Sequence, residues 1–244
     1  SKSTPQGTKA AVMAAFLVAA GNASADVMID DFTAGTNFNL VNPASNTTVN
    51  FTGAGPIGGS RQVVASSVFG VNTTTLDTTA GTLSVRTTGY SDTFVRYGTN
   101  SSIGSEINLS LGITESMQMV FSSFSFGGGG DAGGGNDGAY FYIVDGLGHV
   151  MGYQATGAEL QTLATNNGGT LSAALSSFSN AGLYNGQIDG VAFGIDDREI
   201  ISTIQEVRFT GGPVQVPEPG TLALLGLGLA GLGFGRRMTR KQTA

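Results

Sequence analysis

Hydrophobic and polar positions come in short bursts along most of the chain. Runs rich in Val, Ile, Phe, Tyr and Thr recur at 27–32, 48–52, 62–69, 82–88, 93–97, 106–109, 117–126, 139–144, 150–154, 190–195 and 204–210. Gly, Asn, Asp or Pro bounds these runs, the pattern of strands closed by turns. Eleven short strands without helical spacers predict an all-β, antiparallel β-sandwich rather than βαβ units. Only 157–164 reads as a short helix or loop, and no repeat of solenoid length is present.

Both ends depart from this pattern. In residues 1–25, Lys2 and Lys9 precede an apolar run from Ala10 to Ala20, followed by Ala23-Ser24-Ala25. A basic start, a short apolar centre and an A-x-A site predict a signal peptide cleaved at Ala23–Ala25. Residues 26–212 are then the ectodomain. Residues 213–220 form a linker holding Pro217-Glu218-Pro219, whose prolines keep the backbone extended. Residues 221–235 are uncharged and form a predicted transmembrane sorting helix. With Gly220 this run reaches about 24 Å at ~1.5 Å per residue, slightly short of a ~30 Å hydrocarbon core. In the basic tail, 236–244, Arg236 and Arg237 act as a stop-transfer signal that leaves the body outside.

The order Pro217-Glu218-Pro219, a Leu/Gly/Ala helix, then Arg236-Arg237 resembles the PEP-CTERM sorting signal. The resemblance implies a Gram-negative-type, exopolysaccharide-producing bacterium. It further implies an exosortase that recognises the signal and removes the tail. A weaker resemblance links the body to jelly-roll domains of the galactose-binding type. It rests on Met28-Ile29-Asp30-Asp31-Phe32, Gly58-Gly59-Ser60-Arg61, Leu171 to Phe178, Ile188 to Ile195 and Ile204 to Phe209. It implies a jelly-roll-like sandwich and assigns no activity.

Charge sharpens the picture. Between Lys9 and Arg236 there are five arginines, no lysine and all 17 acidic residues, a formal charge of −12. Such a surface repels nucleic acid and anionic lipid. The chain has no cysteine, which excludes disulfides, thiolate zinc sites and cysteine nucleophiles. No cofactor is expected beyond a structural Ca²⁺, for which Asp30, Asp31 and Glu206 are the candidate oxygen ligands; the plainer reading of the aspartates is a solvated edge pair.

Other motifs read as structure. The glycine-rich stretch 126–138 lacks the stacked copies of a calcium-binding nonapeptide repeat and reads as a hairpin between apolar strands. Asp196-Asp197-Arg198-Glu199 reads as a turn, and Gly148-His149, with the chain's one histidine, as a hairpin tip. Sequons at Asn46, Asn50, Asn72, Asn100 and Asn108 read as polar turns and strand edges. With no Trp in the chain, Tyr140 and Tyr142 on one strand face are the best candidate glycan contacts. They serve equally as sheet packing.

The expectation is a non-enzymatic surface or matrix protein, exported across the inner membrane and anchored there until processing. Its expected partners are signal peptidase, exosortase, the membrane and exopolysaccharide in a biofilm. The rivals are a carbohydrate-binding module, a self-assembling fibre subunit and a carbohydrate-active enzyme.

Overall fold

In the computed structural model, which describes residues 24–101, 103–127, 138–196 and 199–213, the strand-like runs fold into two stacked sheets. Residues Ser24–Gly212 form one compact unit. The first sheet runs β12 (Gly169–Ala174), β9 (Ser116–Phe126), β14 (Ile200–Pro213), β6 (Thr82–Thr87), β5 (Asn72–Asp77) and β2 (Phe38–Val41), with β1 (Ser24–Asp30) also on β14. The second runs β11 (Val150–Gln154), β10 (Gly138–Asp145), β13 (Gln187–Asp196), β7 (Tyr90–Gly98), β4 (Ser60–Phe69) and β3 (Thr47–Thr52), with β8 (Leu109–Ser110) beside β13. One helix, α1 (Gly157–Thr165), follows β11.

Alternation sets the two faces of each strand. Met117, Met119 and Phe121 of β9 turn inward, as do Phe141 and Ile143 of β10 and Val191, Phe193 and Ile195 of β13. They meet in one apolar core between the sheets. The α1 helix starts on a reciprocal cap: Thr156 accepts from the Glu159 backbone, and the Glu159 carboxylate accepts from the Thr156 backbone N–H. Leu160 and Leu163 are its buried residues.

Two polar ties cross the apolar layer. In one, Asp30 from the first sheet accepts from Arg61 Nη1 at 2.7 Å and from the Tyr97 hydroxyl at 2.9 Å, both from the second sheet. Arg61 also donates to the Ala34 carbonyl, and its guanidinium lies 5.7 Å from the Phe32 ring centre and 5.6 Å from that of Phe51. Phe32 takes a left-handed φ of 57°, fixed by an N–H bond of 2.8 Å to Asp30 Oδ1. In the other tie, Asn72 of β5 donates to the Asp92 carbonyl and Thr93 Oγ1 of β7, and Thr74 bonds both Asn72 and Thr93.

Several expectations are corrected. Strands β2, β5 and β12 were not predicted, and the strand expected at 106–109 is the two-residue β8. The stretch 126–138 does not close a hairpin, because β9 and β10 belong to different sheets, and β13 and β14 likewise belong to different sheets. The predicted sorting helix, 221–235, lies outside the described residues; among those described, no helix is long and apolar enough to cross a membrane.

Candidate functional site

The outer face of the second sheet carries an aromatic cluster. On β10 the residues between the core-facing ones are Tyr140 and Tyr142, whose rings stack 6.1 Å apart and 7° from parallel. Phe94 of β7 joins them at 6.5 and 6.3 Å. Glycine makes room for these rings. A Cβ on Gly194 of β13 would lie 2.3 Å from the Phe94 ring, and one on Gly152 of β11 would lie 2.9 Å from the Tyr142 ring. Phe94 and Tyr142 therefore lie on glycine backbone, as cross-strand aromatics do where a neighbouring side chain is missing.

The two tyrosines play different parts. Tyr140 is 7% exposed and packed into the sheet surface, whereas Tyr142 is only half-buried. Burial, and secondarily the charge of Asp196, push the Tyr142 phenol above its ordinary range, so it remains a neutral donor.

Tyr142 stands between two open grooves. One, of about 540 Å³, is lined by Tyr140, Tyr142, Gly152, Tyr153, Gln154 and the 177–179 segment. The other, of about 400 Å³, is lined by Phe94, Arg96, Asn100, Tyr142, Val150 and Ala192. Both volumes fall in the range of ligand clefts. The first groove is firmly built. Ser179 exchanges bonds with Gly152, its N–H donating to the carbonyl at 2.8 Å and its hydroxyl accepting from the N–H at 3.1 Å. The Tyr153 hydroxyl donates to the Glu159 carboxylate of the α1 cap at 2.7 Å. Burial and that carboxylate push the Tyr153 phenol up to about 12. Ring faces, hydroxyls and amides of this kind fit sugar C–H faces and hydroxyl groups.

The candidate calcium ligands are not brought together as a site. Asp30 is committed to Arg61, Asp31 accepts from the Thr33 hydroxyl at 2.7 Å, and Glu206 pairs with Arg208. Among the described residues no group of three or more acids and histidines is placed to hold a metal ion. His149 is a turn residue: its Nδ1 lies 2.9 Å from Asp145 Oδ2, and Asp145 Oδ1 accepts from the backbone N–H groups of Leu147 and His149. Asn72, read as a polar turn or strand edge, is wholly buried in the inter-sheet tie. Ala23, Pro217, Glu218, Pro219, Arg236 and Arg237 lie outside the described residues. Ala25 is the second residue of β1, so cleavage after it would shorten that strand by two.

Phe94, Arg96 and Ser179 are not singled out in the sequence; Asn100 reads there only as a sequon in a polar turn or strand edge, and 177–178 only as part of the jelly-roll resemblance. Tyr140-x-Tyr142 shows itself within one strand, but its partnership with Phe94 and Arg96 depends on the β10–β13–β7 register.

Several solved structures are similar to the chain. The family 11 carbohydrate-binding module of the cellulosomal cellulase Lic26A-Cel5E of Clostridium thermocellum has 12% identity and a TM-score of 0.37, over 78% of this chain and 96% of that one. The Clostridium thermocellum family 11 module in complex with a β-1,3-1,4-mixed-linked tetrasaccharide has 11% identity and a TM-score of 0.35, over 77% and 96%. The Spr0440 glycoside hydrolase domain of Endo-D from Streptococcus pneumoniae R6 has 8% identity and a TM-score of 0.30, over 72% of this chain and 22% of that one. Likenesses this remote leave the binding properties of the chain to its own residues. No curated protein matches the chain. The family comparison falls on the other part of the chain: residues 215–241 match the PEP-CTERM protein-sorting motif, so the β-sandwich is followed by that motif.

Proposed function

We propose that this is an exported, non-enzymatic protein, sorted by an exosortase-type system, that holds extracellular polysaccharide on the outer face of its second sheet. Signal peptidase removes the leader. The segment 221–235 anchors the chain in the inner membrane until it is processed near Pro217–Pro219. The body is then left in the exopolysaccharide of the cell surface or biofilm matrix, where its work is cohesion rather than turnover. The match at 215–241 supports the sorting half.

The observation that carries the binding half is the position of Tyr142, a half-buried ring that walls two open grooves lined by hydroxyls, amides and aromatic faces. A pyranose stacks its C–H face on such a ring and gives its hydroxyls to the groups beside it. The test is affinity electrophoresis of the full chain through gels containing neutral and acidic polysaccharides. Saturable retardation that Tyr142→Ala removes is expected. A Tyr142→Ala chain retarded like the unaltered one refutes this face as the binding site.

A further inference from the structure

One row of side chains crosses the outer face of the second sheet in strict register. Tyr142 of β10 lies opposite Ala192 of β13, Ala192 opposite Arg96 of β7, Arg96 opposite Gln62 of β4, and Gln62 opposite Asn50 of β3. Ala192 is too small to fill the space above it, so Tyr142 and Arg96 face each other across a gap. On the side of the gap away from Gly194, the outward position of β13 is Gly190, and Thr99 and the Asn100 backbone pack over it where a Cβ would stand, so they close the groove at that end. Gln62 is tied to Asn50, its amide donating to Asn50 Oδ1 at 3.2 Å. The groove of about 400 Å³ sits over this gap, with a ring on one wall and a guanidinium on the other.

Arg96 stands apart from the other described arginines. Arg61 is buried against Asp30, Arg208 pairs with Asp26 and Glu206, and Arg86 is exposed on β6 in the opposite sheet. Among the described residues no carboxylate pairs with Arg96. In a lysine-free stretch of formal charge −12, a half-buried guanidinium without a carboxylate partner sits on the wall of an aromatic groove. Its planar fork matches a carboxylate at two points, and the low-dielectric floor strengthens that bond.

We infer that this groove selects a glycan carrying a uronate-type sugar, with the sugar ring on Tyr142 and its carboxylate on Arg96. The inference rests on the glycan-binding reading above and names the class of sugar.

The test uses the full chain on an array of uronate-containing oligosaccharides beside the same oligosaccharides with each carboxyl reduced to the alcohol. The unaltered chain is expected to bind the best acidic member about tenfold tighter than its reduced partner. Arg96→Gln should erase that difference while leaving binding to the reduced partner, and Arg96→Lys should restore only part of it. Raising the salt concentration should narrow the gap for the unaltered chain. Thermal unfolding of both variants at the unaltered temperature shows that the fold is intact. Equal affinity for acidic and reduced partners overturns the uronate inference and leaves the glycan reading standing. Binding to no member of the array overturns the glycan reading itself.

Discussion

Arg61 Nη1 lies 2.7 Å from Asp30 Oδ2 where water does not reach, with the two side chains 1% and 0% exposed. Burial pushes the Asp30 carboxyl up, while the Arg61 charge and the bonds from Phe32 and Tyr97 pull it down. A pair of this kind adds little net stability, yet losing one member is costly because the other is left charged and buried. Arg61→Met is therefore expected to cost about 3–5 kcal/mol. The double variant Asp30→Asn, Arg61→Met should recover part of it. Urea denaturation at constant m-value reads both. An unchanged midpoint for Arg61→Met disproves the tie.

Asp145 holds the β10–β11 turn. Removal from water alone would raise its carboxyl, but the His149 ring and the backbone N–H groups of His149 and Leu147 outweigh this and hold it below its ordinary value. A carboxyl lowered in the folded state stabilises above its unfolded value, near 3.9, and that gain is lost as the pH falls through the lower folded value. Asp145→Asn is expected to cost about 1–2 kcal/mol near neutrality. The gap to the unaltered protein should close below about pH 4. Stability measured across that range decides it; a gap that stays constant into acid removes Asp145 as the cause.

The aromatic face depends on absent side chains. Gly194→Ala puts a methyl group 2.3 Å from the Phe94 ring, which must move. Overpacking of this sort costs about 1–3 kcal/mol. It should also weaken any glycan held in the groove that Phe94 lines. Gly182→Ala is the control, because its added methyl meets nothing within 4 Å. Calorimetry for stability and array binding for affinity should separate the two variants.

The α1 cap supports the first groove through Tyr153. Thr156→Ala removes the side-chain acceptor of the capping box and should cost about 1 kcal/mol. For a domain of this size that is roughly 2–4 °C in Tm. An unchanged melting temperature argues that the bonds from β11 and the 177–179 segment hold the region without the cap.

These sites differ in how openly the sequence shows them. The β9 pattern of Met117, Met119 and Phe121 announces a half-buried strand, because inward positions are apolar and the period is two. Strand β5 hides: its inward positions include Asn72 and Thr74, polar residues satisfied by β7 in the other sheet, so the alternation carries no hydrophobic signal. Asp30 reads as a solvated edge acid, and Arg61 carries no role beyond the jelly-roll resemblance, because their partnership spans 31 positions and two sheets. Tyr140 and Tyr142 were visible as a local pair, while Arg96 joined them only through register. The sorting motif, by contrast, is wholly local: proline, charge and an apolar run in order are enough to name it.

That motif follows the last strand closely in sequence. Strand β14 ends at Pro213, and the Pro-Glu-Pro triplet begins at Pro217, with residues 214–216 between them. The four Cα steps from Pro213 to Pro217 span at most about 14 Å, so a processing enzyme that grips the triplet is expected to meet the end of β14. Deleting 214–216 should then slow processing, because β14 must give up pairing before the triplet can be reached. Inserting three Gly-Ser pairs there should leave processing as fast or faster. Replacing Pro217 and Pro219 by alanine frees the backbone from the extended form the prolines impose and should leave the tail attached. Mass spectrometry of surface protein from a producing strain reads all three. The unaltered chain is expected to lack the segment after the triplet, and the alanine variant to keep it. Full-length tails on the unaltered surface protein refute the processing step, and equal rates for deletion and insertion refute the steric argument alone.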